Sequence, residues 1–374
     1  MKVSFDPFKR DPGTYYVAIR ATTTYNDIVW VRETATITQA LTDTSTYTWK
    51  AGTSGSWTDV ANWTTADAYG VGYPTADSTA AFTEATTGVV SIAASTEVKK
   101  IDVSASNLSV TLRLSPDVEL TASDASDGSF YIGQNSTVVI DAQGGAKANI
   151  GKTWFSNGAS LSLLNGVKYK TGSTASKGDN VLLKMTGHSS YDSGDHITLL
   201  NQNCTIELDD SNAFSWNTFK FGDGFHLIAR GSKAQLSPRS GFESHGTMTI
   251  DVELPETDYD MQYNFGGGSW KTRLGLIAYG ADAMRFPGGA EATINLLKDS
   301  PGRKLKGTRL YTLVNCGNNV KLLDNSKVTV NGLKADIDSV IYTWADGADQ
   351  ETEQAQKMQV SITGGRAGTL IIIR

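Results

Sequence analysis

Apolar residues recur along the chain in short bursts of alternating polarity. In "LSVTLRLS", Leu108, Val110, Leu112 and Leu114 share one parity, with Ser, Thr and Arg on the other. "VVSIAAS", "VKKIDVSA" and "VELTAS" are strand-sized pieces of the same kind, separated by short polar turns. Side chains alternate across a strand, so this pattern predicts strands with one buried face. The first stretch, "TYYVAIRATTTYNDIVWVRETATITQAL", behaves likewise. Tyr16, Ala18 and Arg20 alternate with Val17 and Ile19, and "YND" supplies a turn before Ile28 to Glu33.

Two pairs of segments line up at one fixed interval. "YIGQNSTVVIDA" and "FSNGASLSLLNG" place Val138 and Ile140 one period ahead of Leu161 and Leu163. "FGDGFHLIA" and "SHGTMTIDV" place Phe225 and Leu227 one period ahead of Met248 and Ile250, at the same spacing. The shared skeleton is a polar turn with Gly or Asn, then apolar–polar–apolar. A period of about two dozen residues with strand-sized elements points to a solenoid, in which no turn buries its apolar face without its neighbours. The fixed Leu and Asn lattice of leucine-rich repeats is missing. The expected fold is therefore all-β: a single-stranded parallel β-helix, right-handed, with an N-terminal β cap. A β-sandwich, or a tandem pair, is the alternative built from similar short strands.

The organisation follows. Residues 1–46 form a small N-terminal β-element, 47–88 a Trp-rich cap and first coil, and 89–374 the β-helix. The period lapses around 255–306, where "FGGGSW" and scattered aromatics predict irregular loops. Regular strands return at "EATINLL" and "TRLYTLVN", and "NNVKLLDNSKVTVNG" holds two more turn-plus-strand units. A C-terminal capping hairpin, turning at Gly364-Gly365, would end the core. The run Leu370 to Ile373 is too apolar to stand as a bare edge.

The stretch "YTWKAGTSGSWTDVANW" crowds Trp49, Trp57 and Trp63 into polar, glycine-rich chain. An open solenoid end templates pairing with other chains unless it is covered, and three indoles supply the apolar area for a cover. An exposed aromatic platform for stacking sugar rings is the functional alternative for the same three residues. The motif resembles the opening of bacterial surface β-helix proteins related to autotransporter passengers with autotransporter-associated β-strand repeats. The matching residues are Trp57, Asp59, Asn62, Trp63, Pro74, Asp77 and Phe82, and "GGRAGTLIIIR" is similar to the strand that closes such solenoids. The resemblance implies a secreted, extracellular or cell-surface module; a role as structural protein or adhesin, with carbohydrate binding, is the expectation from its long polar faces and aromatics. It would bind glycan or cell-surface material, or associate with copies of itself.

Composition agrees with many strands and few helices. The 374 residues include 37 Gly, with 39% hydrophobic and 19% charged, below the usual ~45–50% and ~25%. Net charge is −6, and no Lys/Arg run builds the basic stripe of a nucleic-acid binder. No segment reaches the ~20 apolar residues of a membrane-spanning helix. "MKVSFDPFKRDPG" lacks an apolar h-region, so the leader of an exported protein is expected to lie outside this sequence. Cys204 and Cys316 stand far apart in the chain with no ligand motif around them. Two small buried hydrophobes is the expectation, with one long-range disulfide as the alternative.

Chemistry is thinly signalled. If the protein were a β-helical polysaccharide lyase or glycoside hydrolase, it would need facing carboxylates. Asp251 and Glu253 leave one strand face two positions apart, while Ile250, Val252 and Leu254 account for the strand by themselves. Asp209-Asp210 and the cluster Glu256, Asp258 and Asp260 are the other carboxylate groups. "GHSSYDSGDH" offers His188, Asp192, Asp195 and His196 as weak metal candidates, at a spacing that matches no strong ligand motif. Nothing in the pattern requires a cofactor. The expected function is non-enzymatic binding through extended solenoid faces, with a β-helical carbohydrate-active enzyme and a self-assembling scaffold as alternatives.

Overall fold

The computed structural model describes residues 13–22, 28–37, 42–50, 52–66, 71–84, 88–124, 128–260, 275–278, 284–285, 290–316, 327–344, 346–347 and 355–364. Their architecture is all-β. A separate antiparallel pair, Gly13–Thr22 with Ile28–Ile37, precedes two large and mostly parallel sheets. The turn expected at "YND", the closing turn beyond Gly364 and the run 370–373 lie outside the described residues.

The parallel sheets form three ladders, and the chain visits each in turn. The first ladder holds eleven strands, among them Ser109–Leu114, Thr137–Ala142, Ser160–Leu164, Leu182–Thr186, Thr205–Asp209, Phe225–Arg230 and Met248–Glu253. Its registers place Val138 beside Leu161 and Ile140 beside Leu163, as the repeat in the sequence requires. Phe225 lies beside Met248 and Leu227 beside Ile250. The second ladder runs through Glu119–Ala122, the start of Lys147–Phe155, the start of Lys168–Ser176, Ser190–Ser193, Asn212–Ser215 and Gln235–Pro238. The third carries Thr79–Ala81, Lys100–Val103, Phe130–Ile132, the ends of the two long strands, Ile197–Leu199, Thr218–Phe221 and Gly241–Ser244. Three strands per turn, each paired with its equivalent one coil away, make a β-solenoid-like architecture. Sandwich sheets would instead be mainly antiparallel.

The core follows from these registers. Val110, Val138, Leu161, Leu183, Ile206, Leu227, Ile250 and Ile294 form one inward column, all buried. The turns into the six first-ladder strands from Ser109–Leu114 to Phe225–Arg230 are made in left-handed backbone, at Asn107, Asn135, Gly158, Asn180, Asn203 and Gly224. Only Gly, and Asn among common residues, adopts that conformation readily, which explains the polar skeleton repeated in the sequence. Stacked Tyr169 and Tyr191, 4.9 Å apart, place hydroxyls inside the coil. These meet Thr153 Oγ1 and Thr174 Oγ1 at 2.6 Å, so the interior hydroxyls are paired.

The interval between paired strands lengthens past Met248–Glu253. Ile250 pairs with Ile294, almost two ordinary coil lengths further along the chain. Within that interval, residues 275–278 join the second ladder: Leu236 pairs with Ile277 and donates its N–H to Leu276 O, and Gln235 Nε2 donates to Gly275 O. At the far end the sheet turns antiparallel. Lys357–Gly364 lies between Gly307–Asn315 and Ser339–Thr343. Among the described residues no helix is long and apolar enough to cross a membrane.

Candidate binding cleft

The three tryptophans do not form an exposed platform. Trp49, Trp57 and Trp63 are 3%, 1% and 4% exposed and pack edge to face, with ring centroids 4.9 Å (49–63) and 5.1 Å (57–63) apart. Trp63 Nε1 donates to Trp57 O at 2.7 Å and Trp57 Nε1 to Pro74 O at 3.3 Å. Asp59 caps the short 3-10 turn at Val60–Asn62, Asn62 Nδ2 donates to Ser56 O, and Phe82 closes the cluster against Trp49 and Trp63. The motif residues hold one another. Buried indole faces are closed to a sugar ring, and this corrects the platform expectation for the three residues.

The metal candidates are spread along one coil. His188 sits in left-handed backbone at the corner between the first and second ladders, with Nδ1 3.2 Å from Asp210 O. Asp192 lies on the second-ladder strand Ser190–Ser193. Asp195 and His196 occupy the next corner, where Asn217 Nδ2 donates to Asp195 Oδ1 and Thr218 N–H to His196 Nδ1. An extended strand separates the two histidines. Among the described residues no group of three or more His, Cys, Asp or Glu is placed to hold a metal. Cys204 and Cys316 are buried free thiols, and burial raises the Cys204 pKa.

Asp251 and Glu253 point outward from the first ladder into a cross-coil polar network. Asp251 accepts from Asn295 Nδ2 at 2.8 Å and meets His226 Nε2 at 2.9 Å. Glu253 lies 3.5 Å from Arg230, which also holds Glu207 at 2.7 Å. Lys184 approaches Glu207 from the other side at 3.1 Å. Burial alone would raise the Glu207 pKa, but Lys184 and Arg230 outweigh it and hold the carboxyl below its ordinary range. Near Arg230 a depression of about 540 Å³ includes Asp209, Asp210, Glu253 and Glu256. Asp258 is turned away to Thr312, accepting from its N–H and hydroxyl.

The second ladder carries a different feature, which the sequence reading did not single out. A cleft of about 470 Å³ is lined by Lys147, Asn149, Lys168, Lys170, Ser190 and Asp192, together with His188, Tyr169 and Asn212. A second cleft of about 380 Å³ shares Asn149 and Lys170 with it and continues past Thr121 to Gly151, Gly172 and Gly194. The registers explain the arrangement. Glu119, Lys147, Lys168, Ser190 and Asn212 form one outward column, and Thr121, Asn149, Lys170 and Asp192 form the next. The glycines mark the corner into the third ladder. A Cβ on Gly172 would lie 2.4 Å from Gly151 O, so the coils close up there only without side chains. The signal that could have revealed the cleft is a second alignment, in which "KANIG", "KYKTG" and "SYDSG" begin at Lys147, Lys168 and Ser190.

No protein-family model, curated protein or solved structure matches the chain. The functional reading therefore rests on this geometry.

Proposed function

We propose that the protein is a non-enzymatic extracellular module that binds a chain-like ligand, glycan or other cell-surface material, along its stacked coils. The observation that carries this is the pair of adjoining clefts on the second ladder. They cross successive coils from Thr121 to Asn212, following the stacking direction rather than forming one deep pocket. At a strand spacing of about 4.8 Å, four coil steps make the lining roughly 20 Å long. That length suits several linked units of a polymer better than one small molecule. Amide, hydroxyl and amine groups supply the directional contacts that sugar hydroxyls use.

Further observations support the wider reading. The buried Trp cluster adjoins the first parallel strands, as a cap on a solenoid's open end would, and right-handed winding is the hand parallel crossovers favour. Placement outside a bacterial cell rests on the resemblance of the Trp57–Trp63 motif to surface β-helix proteins. A non-catalytic role is supported by the engagement of Asp251 and Glu253 with cross-coil partners.

Screening the purified protein against immobilised glycans, with a parallel assay for chain cleavage, tests the proposal. Binding without cleavage is expected, and Ser190→Trp, which fills the cleft from an outward position, should abolish it. Cleavage of a bound chain would replace the reading with an enzyme. Undiminished binding by Ser190→Trp would place the ligand elsewhere.

A further inference from the structure

The cleft also carries a charge pattern unlike the rest of the molecule. On the other faces, charged residues on neighbouring coils meet opposite charges: Arg113 with Asp141 at 3.2 Å, Lys184 and Arg230 with Glu207, and Lys220 with Glu243 at 4.0 Å. Such cross-strand pairing is mildly stabilising, and like charges directly opposite are destabilising. Lys147 stands in register beside Lys168, and Lys170 leaves the same face two positions on. Among the registers of the described strands no other like-charged neighbours occur. No ion pair forms at Lys147, Lys168 or Lys170 among the described residues. Glu119, on the other side of Lys147, accepts from the Asn149 amide. The chain thus concentrates three ammonium groups in a cleft despite a net charge of −6.

We infer that this cleft takes an anionic polysaccharide, with carboxylate or sulfate groups seated among Lys147, Lys168 and Lys170. The inference rests on the binding reading above and names its ligand class. A bound anion would relieve the repulsion between stacked lysines and gain charge-assisted hydrogen bonds. The rest of the lining selects sugar over nucleic acid. Asp192, in register beside Lys170, would repel a phosphate on every residue of a strand but accepts readily from a sugar hydroxyl. Tyr169, the aromatic residue in the lining, turns its ring into the coil and is only 1% exposed, so bases find no stacking surface there. Ser190 continues the lysine column without charge, fitting a chain whose acidic groups alternate with neutral ones.

The test compares polygalacturonate, a sulfated glycan, neutral dextran and single-stranded DNA as ligands, by calorimetry at low and high salt. Wild type is set beside Lys168→Gln, Lys170→Gln and their double variant. One or both acidic glycans should bind, the pair distinguishing carboxylate from sulfate. Affinity should fall as salt rises and drop about tenfold for each lysine removed. The lysines are exposed on an outward face, so melting temperatures should not fall, and relief of the Lys147–Lys168 repulsion should leave Lys168→Gln at least as stable. Dextran binding as tightly, with no salt dependence, would overturn the charge assignment and leave the binding proposal standing. DNA binding as tightly as the acidic glycans, or unchanged affinity in the double variant, would also overturn it. Failure of every polysaccharide would remove the proposed function and this inference together.

Discussion

Removing the carboxylate of Asp338 should loosen the C-terminal end of the molecule far more than a typical surface change. Asp338 and Arg303 form a buried pair, with side chains 0% and 7% exposed and Nη1 2.8 Å from Oδ2. Asp338 also accepts from Lys334 N–H at 3.0 Å and from Thr363 N–H at 2.8 Å, while Arg303 Nη2 donates to Gly332 O at 2.9 Å. One carboxylate therefore ties the Pro301–Lys304 turn, the 332–338 loop and the strand Lys357–Gly364 together. Asp338→Asn removes the charge and turns an amide N–H₂ towards groups that already donate. Breaking one side of a buried pair typically costs about 3–5 kcal/mol, because the remaining charge stays buried. A solenoid's ends can open without the rest, so that loss should appear locally.

Hydrogen exchange followed by mass spectrometry reads this directly. At about 1.4 kcal/mol per decade, peptides covering 357–364 should exchange roughly a hundred- to several-thousand-fold faster in Asp338→Asn. Peptides covering Ser160–Leu164 should not change. Asp336→Asn, at a neighbouring exposed position, is the control. The pH dependence has a fixed sign. Burial would raise the Asp338 pKa, but the Thr363 and Lys334 amides and Arg303 hold it below the ordinary carboxylate range. Its contribution is thus complete above about pH 4 and is lost as pH falls through the lowered folded value. Protection of this strand, corrected for intrinsic exchange, should decline below about pH 4 in wild type and not in the variant. A change of less than threefold at neutral pH would refute the clasp.

Other substitutions probe the remaining parts. Trp57→Ala should cost about 3–5 kcal/mol in chemical denaturation, because it empties the space of the most buried of the three indoles; an unchanged midpoint would mean that the ring is not buried. Tyr191→Phe leaves the buried Thr174 hydroxyl without its 2.6 Å partner, for a loss of about 1–3 kcal/mol by thermal unfolding. A neutral effect would show that the hydroxyl finds another acceptor. Gly172→Ala forces a Cβ to 2.4 Å from backbone and should lower the melting temperature by about 5 °C or more, whereas Ser173→Ala should not; equal effects would refute the close coil approach.

The architecture was largely legible because a parallel solenoid writes its contacts as an interval. Val138 with Leu161, and Phe225 with Met248, are true neighbours at the spacing that their parity and turn residues suggest. The left-handed turn explains why Asn and Gly alternate freely at the corners. The burial of the three indoles was not legible in the Trp segment, since aromatic content alone does not say which way a ring faces. The cleft was missed for a geometric reason. Coil length varies, and the step from Lys147 to Lys168 is two positions shorter than the step from Val138 to Leu161. An alignment tuned to the longer step shifts Lys147 off Lys168 and hides the column. The spread of His188, Asp192, Asp195 and His196 was hidden too, because nearness in sequence becomes distance along an extended strand.

Spin labels along one outward column test the stacking most directly. Thr137, Ser160, Leu182, Thr205, His226, Thr249, Thr293 and Thr329 follow one another in register on the first ladder. Pulsed dipolar spectroscopy is applied to the label pairs 137/249, 137/293 and 137/329, with Cys204 and Cys316 replaced by Ser. The distances should start at about 24 Å and rise by about 4.8 Å from each pair to the next, although the sequence intervals are unequal. Distances that do not rise in equal steps, or that shorten between any two pairs, would contradict a column of stacked coils.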